Sequence, residues 1–399
     1  MPVGGNVSTP EVATREELVR RAAELVPILA DNAVWTEQNR RLKDETVEAM
    51  ADAGIFRLRV PTRYGGHEAD FRTLVEVAAQ LARGDGSPAW VASVSWITSW
   101  MIGLFPDEVQ DEVFSTGQGR TCGTLSPSAI ANPTDGGIVV NGKWGFISGA
   151  LHSDWQVVIA VLVPAEGEPY PVMAPVPLSD LRVVDDWHAS GLKGSGSVST
   201  VAQDVFIPTE RVLPLPAVLQ EQYASKANAG SPVWRAPLLP VASASSVGTV
   251  LGLARAAREN FLKRLPNRKI TYTSYESQRE APLTHLQVAE ATMVIDRIEF
   301  HAHRLASQVD TKGGDGTPWK LEERARARAD LGAVVELGKA SIDLLASASG
   351  GTSIYTDIPI QRIVRDVHAI NQHALMHPNT NAELYGRVLC GLEPNTLYI

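Results

Sequence analysis

The chain has 399 residues, enough for two or three structural units and for a core that buries about 75% of the unfolded surface. Apolar residues make up 44% and charged residues 20%, and the net charge is −9. This composition excludes a disordered chain and argues against nucleic acid or an anionic membrane as partner. Two distant cysteines, Cys122 and Cys390, with no CxxC spacing, support neither a disulfide framework nor a metal site and suit the reducing cytoplasm. No signal-peptide pattern opens the sequence, and no apolar run approaches the roughly 18 residues of a membrane span.

The first third reads as helix. Leu18, Val19, Ala22, Leu25, Val26 and Leu29 share one face of a helix over 15–31. The pattern repeats over 45–53 and stops at Gly54. Asp70 is placed to cap a helix carrying Leu74, Ala78 and Leu81. Ser87-Pro88 reads as N-cap and first helical residue of a helix through Trp90, Trp96 and Trp100. Pro106-Asp107 opens a short helix.

From about 119 the texture becomes β. Segments 136–149, 154–163, 170–178, 181–187 and 198–208 read as short strands, with Gly136-Gly137 and Asn141-Gly142 as turns. Helical periodicity returns over 241–264, 282–309, 319–348 and 357–376, with Pro378 ending the last helix. Arg324 and Arg328, four apart, read as a solvated helix face. The order is helices, a β unit, then a helical bundle, divided at 1–118, 119–215 and 216–399. It excludes a doubly wound α/β sheet. No dinucleotide fingerprint, P-loop, HExxH or nucleophile elbow is present. His373 and His377 are four apart but lack a third metal ligand.

Three stretches carry candidate chemistry. In Gly142-Lys-Trp-Gly-Phe-Ile-Ser-Gly149, strand alternation sets Trp144, Phe146 and Ser148 on one face, which suits the edge of a flat heteroaromatic ring and equally a core strand. Gly191-Leu-Lys-Gly-Ser-Gly-Ser197 offers backbone amides to an anion or ring edge, or makes a tight turn. Gln361-Arg-Ile-Val-Arg-Asp366, with Gln372-His373 beyond it, follows Ser349-Gly-Gly351. Arg365-Asp366 reads as an ion pair, and His373 as a packing residue or a catalyst.

These stretches, with Pro61-Thr-Arg-Tyr-Gly-Gly66, Leu81-Ala-Arg-Gly-Asp-Gly-Ser-Pro-Ala-Trp90 and Gly386-Arg-Val-Leu-Cys-Gly391, resemble the acyl-CoA dehydrogenase fold over roughly residues 15–392. The resemblance implies a mainly α protein with an N-terminal helical domain, a middle β-barrel or sandwich and a C-terminal four-helix bundle. Acyl-CoA dehydrogenases often carry their catalytic Glu shortly after the Arg-Asp pair. This chain has Gln372-His373-Ala374-Leu375 there.

The sequence is instead closest to the two-component flavin monooxygenases of this fold, which include phenol, indole and polyketide hydroxylases and amino-sugar N-oxygenases. That resemblance implies reduced FAD, or reduced FMN, delivered by a separate NAD(P)H:flavin reductase. With O2 it would form a C4a-hydroperoxyflavin that hydroxylates a small aromatic substrate in secondary metabolism, within a homotetramer. N- or S-oxygenation, acyl-CoA dehydrogenation and a non-enzymatic flavin-binding module are the alternatives.

By the same resemblance Ser148 lies near flavin N5, and Trp144 and Phe146 wall the ring. Gly194, Ser195 and Ser197 line its edge, and Arg268 or Lys269 meets a flavin phosphate across a subunit boundary. His373 is the acid/base beside the substrate, with Ser126 or Ser128 bonding the same group. Trp96, Trp100, Met101 and Asn371 complete the expected substrate pocket.

Overall fold

The computed structural model describes residues 13–115 and 119–399. Five helices come first: α1 (Arg15–Asn39), α2 (Asp44–Asp52), α3 (Phe71–Gly84), α4 (Gly86–Ile102) and α5 (Asp107–Phe114). Asp70 caps α3, its carboxylate accepting from the Thr73 amide at 2.8 Å. The cap of α4 is Asp85, which accepts from the Ser87 amide at 3.3 Å, and not Ser87. A carboxylate outcompetes a hydroxyl where the first orphan N–H groups converge.

Seven strands follow: β1 (Thr121–Thr134), β2 (Gly137–Ile147), β3 (Trp155–Leu162), β4 (Tyr170–Pro177), β5 (Arg182–Val184), β6 (Val198–Pro208) and β7 (Leu213–Pro214). They form one sheet in the order β5-β6-β2-β1-β3-β4-β7, antiparallel except for the β1–β3 pair. The sheet has its own apolar cluster, with Trp144, Ile147, Val158, Ala174 and Val198 among its members. β1 went unread because Ser126, Pro127 and Pro133 break its pattern and two register shifts interrupt its pairing with β3. Asn141-Gly142 is no hairpin turn. It lies within β2 at a register shift, and a Cβ on Gly142 would meet the Ala129 Cβ at 2.5 Å.

After the short α6 (Leu215–Leu219) come α7 (Leu238–Arg264), α8 (Pro282–Asp315), α9 (Leu321–Ala348), α10 (Pro359–Asn371) and α11 (Pro378–Leu389). The first four of these long helices pack on one another as the C-terminal bundle, and α11 lies on α9. Pro378 opens α11 rather than ending α10, since Pro is favoured in the first turn, where no N–H is needed. α7 is long and apolar enough to span a bilayer, but 94% of that stretch is buried inside the protein, packed against α3, α4 and α9. Arg324 and Arg328 are not a solvated face. Arg324 pairs with Glu221, and buried Arg328 donates to the Asn381 Oδ1 (2.7 Å) and the Tyr398 carbonyl (2.5 Å), tying α11 and the C-terminal tail to α9.

Candidate active site

The end of β2 is bent by a bulge. Phe146 takes a left-handed φ of 62°, and the pairing with β6 shifts between Trp144 and Ile147. The alternation expected of this strand therefore breaks. Trp144 turns into the sheet core, fully buried, and its indole donates to the Ile159 carbonyl at 2.8 Å. Phe146 points outward, 73% exposed, with its ring edge-on to Trp187 at 5.9 Å. Trp144 is thus a core residue and walls no ligand.

Beyond the bulge, Ser148 enters a buried polar cluster. Its Oγ accepts from the Trp90 indole N–H at 3.0 Å and lies 2.7 Å from the Ser197 Oγ. Ser197 lies 2.7 Å from the Ser195 Oγ, and Ser195 donates to the Leu192 carbonyl at 2.7 Å. The Gly149 amide bonds the Ser195 carbonyl at 2.9 Å.

Close packing shapes the glycine-rich loop. A Cβ on Gly191 would sit 1.9 Å from the Arg365 carbonyl, and one on Gly194 would sit 2.1 Å from the Thr36 methyl. The amides of Leu192, Ser195 and Gly196 are already bonded within the protein. Gly194 and the fully buried Ser195 therefore stand behind Ser197 rather than at a ligand's edge.

Arg365 and Asp366 do not pair with each other. Adjacent residues leave a helix in different directions. Arg365 pairs with Glu37 of α1 and donates to the Ser190 carbonyl at 2.9 Å. Asp366 turns inward and accepts from the Leu192 amide at 2.6 Å. Its carboxyl is pushed up to about 7, first by burial and then by Asp85, while Arg362 pulls it back. Burial likewise raises Asp85 to about 6 against the pull of Arg362, 3.9 Å away. This set joins α4, α10 and the loop.

His373 follows α10 and meets the Trp90 ring edge-on at 5.3 Å. Water reaches part of the imidazole while protein encloses the rest, and that lost solvation holds its pKa down at about 4. It is neutral at pH 7. The Leu375 amide donates to Nδ1 at 3.3 Å, which assigns the ring proton to Nε2. His377 caps α11 instead of sharing a helix with His373.

Trp96, Trp100 and Met101 lie in the hydrophobic core. All three are buried, and the two indoles donate to the carbonyls of Ile55 (2.7 Å) and Val233 (2.8 Å). Asn371 faces a separate cleft of about 280 Å³ with Glu336, Lys339 and His377. Ser126 and Ser128 are exposed on β1, their hydroxyls 2.8 Å apart. The guanidinium of Arg268 lies against Gly350, where a Cβ would come within 3.1 Å of it. Burial and neighbouring Arg264 lower the pKa of Arg268, and it makes no ion pair among the described residues. Two guanidinia without a carboxylate suit a phosphate.

These residues fit a flavin: a buried hydroxyl at Ser148, an exposed aromatic ring at Phe146 beside the half-buried Trp187, and an arginine pair at a glycine turn. Sequence reasoning missed Trp90 and Asp366 as site residues. Trp90 lay inside a matching segment and shared the helical spacing of Trp96 and Trp100, so nothing local set it apart.

Comparison with known proteins places the chain in a family. Residues 10–116 match the model of the acyl-CoA dehydrogenase N-terminal domain, and residues 244–378 match that of the C-terminal domain. The chain is 32% identical over 372 residues to the oxygenase subunit HsaA, a flavin-dependent monooxygenase of Mycobacterium tuberculosis, covering 93% of this chain and 94% of that protein. It is 28% identical over 394 residues to the oxygenase component of the FADH2-dependent resorcinol hydroxylase of a Rhizobium, covering 96% of each. The crystal structure of XiaF from Streptomyces in complex with FADH2 and glycerol superposes with a TM-score of 0.90 at 31% identity, covering 96% of this chain and 97% of that one.

The fold is that of the acyl-CoA dehydrogenases. Within it the chain belongs to the oxygenase subunits of reduced-flavin-dependent, two-component monooxygenases, whose reductase is a separate protein.

Proposed function

We propose that the protein hydroxylates a ring carbon of a phenol- or indole-type substrate in secondary metabolism, in the cytoplasm, using O2 and reduced FAD in preference to reduced FMN. One observation carries the reading: Trp90 touches both Ser148, at the flavin-side hydroxyl cluster, and His373, the water-reached imidazole. A single side chain thus couples the two halves of the site.

Bound reduced flavin supplies the activation of O2. The residues of this chain supply position and polarity. Ser148 holds the ring edge, and the enclosure by α4, β2 and the loop keeps water from it. His373, neutral with its proton on Nε2, donates to the substrate's ring oxygen or phenolate and so orients the ring. The Leu375 amide on Nδ1 supports the donor side of the acid/base role expected of His373. Ser126 and Ser128 bond the same substrate group from β1.

Arg268 binds a flavin phosphate of a neighbouring copy within a homotetramer. The exposed heptad of Leu283, Leu286, Met293 and Phe300 on α8 supports that association. The three-domain division at 118/119 and 215/216 belongs to the same reading.

The test supplies the protein with a flavin reductase, NADH, FAD and isotopically labelled O2, and screens phenols and indoles. Label in a new ring hydroxyl is the expected result. Label on nitrogen or sulfur would favour the N- or S-oxygenase reading, and O2 reduced entirely to H2O2 across the panel would overturn hydroxylation.

A further inference from the structure

The residues assigned to the substrate come from two distant parts of the chain. β1 brings Ser126 and Ser128, and the turn after α10 brings His373. A run of hydrogen bonds connects these two parts. At the β1 end, the Tyr398 hydroxyl donates to the carbonyl of Leu125, the residue before Ser126, at 2.9 Å. The Tyr398 carbonyl accepts from Arg328 Nη1 at 2.5 Å. Arg328 Nε donates to the Asn381 Oδ1 at 2.7 Å. The Asn381 Nδ2 donates to the Leu375 carbonyl at 2.9 Å. The Leu375 amide then donates to His373 Nδ1 at 3.3 Å. Every direction here is fixed. A guanidinium only donates and a carbonyl only accepts, so one orientation of the Asn381 amide serves both neighbours.

The middle of the run is sealed. Asn381 is fully buried and Arg328 is 6% exposed. Gly332, one turn beyond Arg328 on α9, lets α11 approach, since a Cβ there would sit 3.0 Å from the Asn381 Cβ. Arg328 makes no ion pair among the described residues, and burial pushes its pKa down to about 10. A guanidinium buried without a counter-ion costs stability. Its gain is geometric, because one rigid planar fork holds two acceptors at a fixed separation.

We propose that Arg328, Asn381 and Tyr398 are positioning residues that clamp the Ser126–Ser128 segment of β1 and the His373 turn at one separation, and that this separation decides where a phenol- or indole-type ring sits. The inference rests on the substrate roles given above to Ser126, Ser128 and His373. Tyr398 sets the β1 end through the Leu125 carbonyl. Asn381 sets the other end through the peptide groups of Leu375. With a link broken, the two parts shift separately, and the ring leaves the place where oxygen transfer is efficient. FADH2 and O2 then end as FAD and H2O2, with the substrate unchanged.

The test uses the full chain with a flavin reductase, NADH, FAD and a phenol or indole that the wild type hydroxylates. It reads product formed per O2 consumed, together with the substrate KM. A stability loss alone does not move that ratio, because unfolded protein contributes to neither channel. Tyr398→Phe removes the bond to Leu125. Asn381→Asp keeps the acceptor for Arg328 and loses the donor to Leu375. Each should lower product per O2 about fivefold and raise KM, with reduced-flavin affinity near that of the wild type. The links lie in series, so the double variant should be no worse than the poorer single variant. Arg328→Lys, which keeps the charge and loses the fork, replaces Asn381→Asp if that variant does not fold. Wild-type ratios in both folded single variants would overturn the clamp, as would losses that multiply independently in the double variant. No hydroxylated product from the wild type across the phenols and indoles would instead overturn the functional reading on which the clamp rests.

Discussion

The two halves of α4 carry the same kind of residue to different ends. Trp90, in the first half, gives its indole proton to a side-chain hydroxyl and touches an imidazole that water reaches. Trp96 and Trp100, in the second half, give theirs to the backbone carbonyls of Ile55 and Val233 and are sealed in the core. Helical spacing groups all three. What separates them is the partner of the N–H: a carbonyl ends a structural bond, whereas a hydroxyl passes polarity on to the next group. Aromatic residues at helical spacing therefore report burial, and the hydrogen-bond partner reports function.

That comparison breaks or sharpens under substitution. The largest effect is expected at Trp96→Ala or Trp100→Ala. Each should cost about 3–5 kcal/mol of stability in denaturant unfolding, from the cavity and the orphaned carbonyl. Trp90→Phe should cost only about 1 kcal/mol, yet lower the hydroxylated product formed per O2 consumed. Equal stability losses at Trp90 and Trp96 would erase the distinction between the halves.

His373→Ala should lower the hydroxylation rate about 10²-fold while flavin affinity stays near wild type. The donor role also carries a sign in pH. With its pKa held down at about 4, His373 stays neutral from pH 5 to 8. The wild-type rate profile should therefore show no His373 inflection near 6.5. A rate that rises through pH 6.5 in the wild type, and loses that rise in the variant, would restore the base.

Beneath the loop the expected effect is smaller. The folded pKa of Asp366 is raised above its unfolded value of 3.8, so its stabilising contribution is full below about 4 and is lost as pH rises through about 7. Asp366→Asn keeps an acceptor for the Leu192 amide and removes the titration. Between pH 5 and 8 the wild type should lose roughly 1–3 kcal/mol relative to this variant, less than three pKa units alone imply, because Asp85 and Arg362 share the charge. Parallel stability profiles of the two proteins would remove Asp366 from the account. Asn371→Ala is expected to do least. Its side chain faces the separate cleft by Lys339 and His377, and turnover should stay within about twofold.

Much of the architecture was legible because it rests on local rules. The apolar face of α1, the Asp70 cap, the span of β6 and the long periodic helices of the bundle follow from side-chain spacing and capping chemistry. The elements that escaped have local signals that tertiary contacts overrule. β1 is rich in Ser and Pro and is held by its two neighbours. Gly142 is read as a turn, but its residue type is set by Ala129 of the next strand. Gly191 and Gly194 look like an anion-binding loop and are glycines because α10 and α1 approach too closely for a Cβ.

The same division runs through the site. The sequence by itself determined the order of helices, β unit and bundle, the absence of a nicotinamide fingerprint, and the residue types at Ser148, Arg268 and His373. Only the tertiary structure decided that Trp144, Trp96 and Trp100 are core, that Arg365 and Asp366 part company, and that Trp90 joins Ser148 to His373. Periodicity fixes which way a side chain leaves its own element. Which donor meets which acceptor depends on how close elements far apart in sequence approach, and that distance is set by the packing of the whole chain.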